Sequence, residues 1–205
     1  MNYRYFSQAG QDKWVLSTLK NKPFGFFVDL GAYDGVEHSN SLALEQFNWS
    51  GICVEANYGY FSYLIKNRPN SLNVNVAVSD HVGELNFSGQ LITADTSAPL
   101  VRCSTIHGIL DEAGCPEYID YMSIDIEGVE YDALSVFEFD RYFVDLITVE
   151  HNLYCDGPDN KDRLFELLTS RGFTRVVEDA ICLDSMYYGS PYEDWYRNSK
   201  SLGSN

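Results

Sequence analysis

Four acidic residues stand where short apolar runs end. Asp29 follows Phe26, Phe27 and Val28; Glu55 follows Ile52, Cys53 and Val54; Asp125 lies near the end of residues 121–126; and Glu150 follows residues 146–149. In an open α/β sheet the ligand lies at the carboxyl ends of the parallel strands, so these side chains could share one rim. Glu127 and His151 lie beside two of them. Such a set could remove a proton from a reacting group, with His151 the preferred base because its unperturbed pKa lies nearest neutrality. Asp125, Glu127, Glu150 and His151 could alternatively hold a divalent cation.

Glu55 lies 24 residues after Gly31, the spacing at which an acid on the second strand reaches the two hydroxyls of a ribose. This suits a nicotinamide dinucleotide, an adenosyl cofactor or a nucleotide equally. The turn separates them. In Gly31-Ala32-Tyr33-Asp34-Gly35, Tyr33 stands where the second glycine of G-x-G-x-x-G would be, and Asp34 is poorly suited to cradling pyrophosphate. No G-x-x-x-x-G-K-[ST] loop occurs, which argues against a nucleoside triphosphate.

Placing these residues on one rim requires strands alternating with helices. Residues 10–20 read as a short helix with Trp14, Val15, Leu16 and Leu19 on one face. Strand, glycine turn and helix follow over 26–49, then strands at 52–54, 72–78, 121–126 and 146–149. Helical patterns over 60–67, 106–113, 127–137 and 159–170 separate them. Residues 81–89 read as a hairpin appended to the sheet and 91–103 as an irregular loop. Residues 174–177 and 180–183, with 185–188 extending the second, are too closely spaced for a parallel crossover and predict an antiparallel hairpin. The expectation is an α/β fold with a doubly wound, mostly parallel seven-stranded sheet closed by that C-terminal hairpin. Residues 1–205 form one domain on this reading, with 1–22 as an N-terminal helical segment and 191–205 as a tail.

With Lys+Arg 14 against Asp+Glu 30, the net charge of −16 disfavours a nucleic-acid partner. No apolar run is long enough to span a bilayer, and the N-terminus lacks an apolar signal region, so a cytoplasmic protein is expected. Cys53, Cys103, Cys115, Cys155 and Cys182 are odd in number and form no C-x-x-C pair, which reads as reduced thiols. His38, His81 and His107 read as surface or turn residues. The aromatic stretch 187–196 reads as packing, with sugar stacking as an alternative.

The order VDLGAYDG, GICVEAN, NVAVSD, YMSIDIEGVEYDAL and ITVEHN, introduced by SQAGQD, resembles the FkbM-type methyltransferases over residues 7–173. The resemblance implies a Rossmann-like class I methyltransferase fold, S-adenosyl-L-methionine as cofactor, and O-methylation of a sugar, glycan or natural-product hydroxyl. It implies that Asp29, Gly31, Ala32 and Gly35 surround the methionine part and ribose, with Gln11 and Asn40 among the cofactor residues. Glu55 would hold the ribose, Ala56 and Asn57 would lie beside the adenine, and Ser79 and Asp80 would approach its amino group. Asp125 and Glu127 would border the methionine end and the acceptor, and Glu150 and His151 complete the catalytic set. The chain departs from the family at residues 104–108, Ser-Thr-Ile-His-Gly, where a threonine-rich segment ending in Leu-Asp is usual. A nicotinamide-dependent oxidoreductase and a non-catalytic binding module are the rival readings.

Overall fold

The computed structural model describes residues 3–89, 91–153, 158–183 and 188–202. Cys155 and positions 185–187 of the expected strand extension lie outside them. The apolar pentapeptide Phe26–Leu30 forms β1, preceded by α1 (Gln11–Thr18) and followed by α2 (Leu42–Glu45). β2 (Ser50–Val54), α3 (Tyr58–Asn67), β3 (Leu72–Val74), β4 (Ala77–Val78), β5 (Gly83–Asn86) and β6 (Leu100–Ser104) come next. The second half holds α4 (Ile106–Glu112), β7 (Tyr118–Ile124), α5 (Glu130–Ser135) and β8 (Phe143–Glu150). It ends with α6 (Pro158–Ser170), β9 (Phe173–Ile181) and β10 (Pro191–Asn198).

The principal sheet has seven strands in the order β3-β2-β1-β7-β8-β10-β9. β1 pairs in parallel with β2 on one side and β7 on the other, placing Asp29 opposite Cys53 and Ser123. The chain winds outward in both directions from this pair, so a crevice opens where β1 and β7 part. Alternation along β1 sends Val28 and Leu30 into a core with Ile106, Leu134 and Leu164 of α4, α5 and α6. Phe27 faces the opposite way, against Val15, Leu44 and Leu64 of α1, α2 and α3. Both faces are therefore covered, which is why β1 and β7 read as near-continuous apolar runs.

Three expectations about the strands are corrected. The run 72–78 does not stay in one sheet. Asn75 donates from Nδ2 to the carbonyls of Glu55 and Ala56, and after this tether the chain leaves β3 and enters β4. β4, β6 and β5 make a separate three-stranded sheet, so the hairpin region pairs with β6 rather than with the principal sheet. β6 itself comes from the stretch expected to be irregular.

The C-terminal antiparallel element is present, with different members. The two short runs expected as a hairpin are one strand, β9, bent at Asp179 (φ 54) where its pairing with β10 shifts register. Its partner is β10, the segment expected to be a tail, which inserts antiparallel between β8 and β9. β10 is buried on both faces. Its acids are buried because each is bonded: Glu193 accepts from Gln11 Nε2 and Trp195 Nε1, and Asp194 accepts from Arg175. Among the described residues no helix is long and apolar enough to cross a membrane.

Candidate active site

A cavity of about 550 Å³ opens at the carboxyl ends of β1, β2, β7 and β8, a size usual for small-molecule sites. Its back wall is the turn after β1. Gly31 has φ 86, and a Cβ there would sit 1.7 Å from the Asp125 carbonyl oxygen, so only glycine fits. The amides of Gly31 and Ala32 both donate to the Val54 carbonyl, which stitches the turn to β2.

Glu55 is held by two amides: Tyr33 N donates to Oε2 at 2.9 Å and Asn57 N to Oε1 at 2.6 Å. Desolvation nevertheless pushes its pKa up to about 7. Asp29 accepts from Ser41 Oγ, which in turn accepts from Arg68 Nη2 at 3.0 Å. Arg68 is fully buried and also donates to Glu45, Ser39 and the Gly35 carbonyl. Burial raises Asp29, and Ser41 and Arg68 counter part of that rise. Asn40 donates to Ser123 Oγ at 2.9 Å, which leaves its buried Oδ1 unpartnered.

At the far end Asp125 and Glu150 lie near enough to perturb each other. Burial, followed by repulsion from Asp125, raises Glu150 well above the usual carboxylate range, and burial raises Asp125 as well. Glu150 Oε2 is buried without a partner. Glu127 stands on the turn after Asp125 with φ 61, beside Gly128 with φ 97. Glu130 Oε1 holds that turn by accepting from the amides of Ile126 and Gly128.

Of the expected catalytic set, Asp125, Glu127 and Glu150 line the cavity and His151 does not. His151 is 1% exposed and turned to β9 and β10, with Nε2 3.5 Å from Asp194 Oδ1 and 3.6 Å from Asp179 Oδ1. Glu150, the last residue of β8, faces the cavity, and His151 after it turns the other way, as successive residues of an extended chain commonly do. The expected four-residue cation set is therefore not assembled. Among the described residues, His151, Asp179 and Asp194 have ligand atoms within 4.8 Å of one another. Lys161 is 2.6 Å from Asp179 and Arg175 is 2.9 Å from Asp194, so cations already engage both carboxylates.

Of the expected cofactor residues, Asp29, Gly31, Ala32 and Asn40 line the cavity, as do Glu55, Ala56 and Asp125. Gly35 sits behind the wall, where a Cβ would strike Arg68 and Leu64. Gln11 lies one layer back and donates to Tyr192 OH. Asn57 caps α3 and donates to the Gly89 carbonyl. Ser79 and Asp80 follow β4 of the small sheet: the Ser79 amide donates to the Ser104 carbonyl, and Asp80 pairs with His81. The wall expected from them is made by Val76, Ala77 and Val78.

Several lining residues were not anticipated. Tyr33 and Tyr60 pair with centroids 4.1 Å apart, and Phe87 and Ile92 come from the chain around the small sheet. His38 lies at the cavity rather than on open surface, and Tyr192, from the stretch given ligand stacking only as an alternative, enters from β10. Tyr33 was legible, since a bulky residue in a glycine turn calls for a reason. The others reach the cavity only through long-range pairing.

No family model matches this sequence. No curated protein matches it either. Solved structures do. A precorrin-6y C5,15-methyltransferase from Geobacter metallireducens superposes with TM-score 0.54 at 14% identity, over 91% of this chain and 86% of that one. An O-methyltransferase from Bacillus cereus in complex with SAH gives 0.59 at 9% identity, over 96% and 84%. The methyltransferase FkbM from Methylobacillus flagellatus gives 0.56 at 14% identity, over 85% of this chain but 43% of that one. The fold is the one these methyltransferases share. At such identities the likeness concerns the fold alone, and the chemistry has to be argued from this cavity.

Proposed function

We propose that this chain is a cytoplasmic S-adenosylmethionine-dependent methyltransferase acting on a hydroxyl of a sugar, glycan or natural product. The observation that carries the reading is the division of the cavity into two halves. Strand order sets the halves. Val76 and Val78 continue from β3 on one side of β2, with Tyr33, Tyr60, Phe87 and Ile92 also in the lining. Asp29 on β1, with Asp125, Glu127 and Glu150 at the ends of β7 and β8, lies on the other side. Between them stands Glu55, its carboxylate already aimed by two backbone amides. A ligand with a flat base, a ribose diol and a cationic end matches that sequence of surfaces. The residues present therefore fit an adenosyl sulfonium.

When bound, S-adenosylmethionine supplies an electrophilic methyl on a sulfonium whose leaving group is a neutral thioether. The chain's part is to align the acceptor and remove its proton. Glu55 would hold the ribose diol, and Tyr33, Tyr60 and the apolar wall would take the base, with Ala56 at the same rim. Asn40 Oδ1 lacks a donor and would receive one from the cofactor's ammonium. Asp125 is the base of choice in place of His151, because burial raises it towards neutrality and Glu150 beside it can hold a proton. Asp125 would take the acceptor hydroxyl's proton as the methyl is delivered, with Glu150 beside it to share that proton.

Calorimetry with S-adenosylmethionine and S-adenosylhomocysteine tests the reading, and absence of heat at millimolar cofactor would sink it. Glu55→Ala should weaken both by about 30-fold or more, two lost hydroxyl bonds to a charged acceptor being worth about 2 kcal/mol or more. Unchanged affinity would remove the ribose assignment.

A further inference from the structure

The charge of the cavity is one-sided. Six carboxyls line it, and no lysine or arginine does among the described residues. Residues 154–157 and 184–187 contain neither by sequence. Its two buried polar side-chain atoms without a hydrogen-bond partner are Asn40 Oδ1, an acceptor, and Glu150 Oε2, an acceptor once its carboxyl has given up its proton, on residues each 7% exposed. Whatever completes this site must bring donors. The cofactor proposed above carries one positive charge in excess and would meet Asp29, Asp125 and Asn40. Glu150 and Glu127, at the other end, would then face the methyl acceptor.

We infer that the acceptor is a hydroxylated amine of the aminohexose or aminocyclitol kind, with its ammonium read by Glu150 and Glu127 and its hydroxyl as nucleophile. This rests on the methyltransferase reading. The roles divide cleanly, because a protonated amine has no lone pair to attack with and serves as an anchor, while the neighbouring hydroxyl gives up its proton to Asp125. A neutral acceptor would bring no charge to pair with Glu127 or to displace the proton on Glu150, and a phosphorylated one would add repulsion. An ammonium supplies the missing donor to Oε2 and displaces the proton that burial holds on Glu150.

The test is binding to the protein saturated with S-adenosylhomocysteine, using glucosamine and 2-deoxystreptamine against glucose, myo-inositol and glucose 6-phosphate. Either amine should bind about tenfold or more tightly than its neutral counterpart, and the phosphate should not compete. Glu150→Gln should erase the preference, and Glu127→Gln, on an exposed turn and so without risk to folding, should reduce it severalfold. Equal binding of amine and neutral probes, preference for the phosphate, binding of none, or an undiminished preference in both variants would each overturn the inference. Failure of S-adenosylhomocysteine itself to bind is a separate result and removes the methyltransferase reading first.

Discussion

Glu130→Gln isolates a single desolvated charge beneath the site. The Glu130 side chain is fully buried; Oε1 accepts the amides of Ile126 and Gly128, and Oε2 has no partner. Burial pushes its pKa from 4.5 to about 7. Between those values the folded chain keeps a proton that the unfolded chain has released. Stability therefore falls as pH rises through that window and levels off above it. At 1.36 kcal/mol per pH unit the whole rise is worth ~3 kcal/mol, most of which falls between pH 5 and pH 8.

Glutamine keeps Oε1 and both accepted bonds and carries no charge. Its amide nitrogen inherits the unpartnered position of Oε2, a cost of about 1 kcal/mol at pH 5, where the native carboxyl is protonated too. At pH 8 the variant is spared the ionisation cost, so it should exceed wild type by about 1–2 kcal/mol. Repulsion on Glu150 is relieved as well, which acts in the same direction. Urea unfolding followed by tryptophan fluorescence at both pH values gives the comparison, in which the other raised carboxyls cancel. A variant destabilised equally at pH 5 and pH 8, or more at pH 8, would refute the claim that this carboxyl ionises against burial.

Three further outcomes follow from the same geometry. His151→Gln should leave cofactor affinity and kcat within about threefold, because the ring faces Asp194 and Asp179 rather than the cavity, and a loss of 10²-fold or more in kcat would restore it as the base. Arg68→Met should lower stability by about 3–5 kcal/mol in urea unfolding, since it leaves Glu45 and Asp29 buried without their cation, and a loss under 1 kcal/mol would contradict the network. Binding of S-adenosylmethionine at pH 6.5 should release about half a proton or more, since a nearby cation lowers raised carboxyls such as Glu55, and S-adenosylhomocysteine, lacking the sulfonium charge, should release less. Calorimetric enthalpies in buffers of different ionisation heat would show this, and a zero slope would count against an acidic cofactor site.

What could be read from the sequence was whatever depended on neighbours in the chain. β1 and its turn announce themselves because Phe26 to Leu30 are buried on both sides and Gly31 admits no side chain. Asp29, Glu55, Asp125 and Glu150 were found because each follows its own apolar run, and all four line the cavity. His151 was chosen for its ordinary pKa alone; its place outside the cavity, against Asp194 and Asp179, depends on the pairing of β8 with β10 and on the bend in β9.

The misreading of β10 has a different cause. Pro191–Asn198 contains Glu193, Asp194 and Arg197, which scored singly describe a solvated segment. Glu193 is buried because Gln11, 182 residues away, donates to it, and Asp194 because Arg175 crosses from β9. The ring of Trp14 on α1 packs 4.9 Å from that of Trp195, so the N-terminal helix and the last strand cover one another. An unpaired acid at position 193 or 194 would cost several kcal/mol to bury; at Asp194 the bonds outweigh that desolvation, while at Glu193 they offset only part of it and burial still pushes the pKa up to about 8. Whether such a strand belongs inside is decided by partners that only the completed sheet brings near. Tyr192, carried by that strand, lines the cavity, where the aromatic stretch 187–196 had offered ligand stacking only as the alternative to packing.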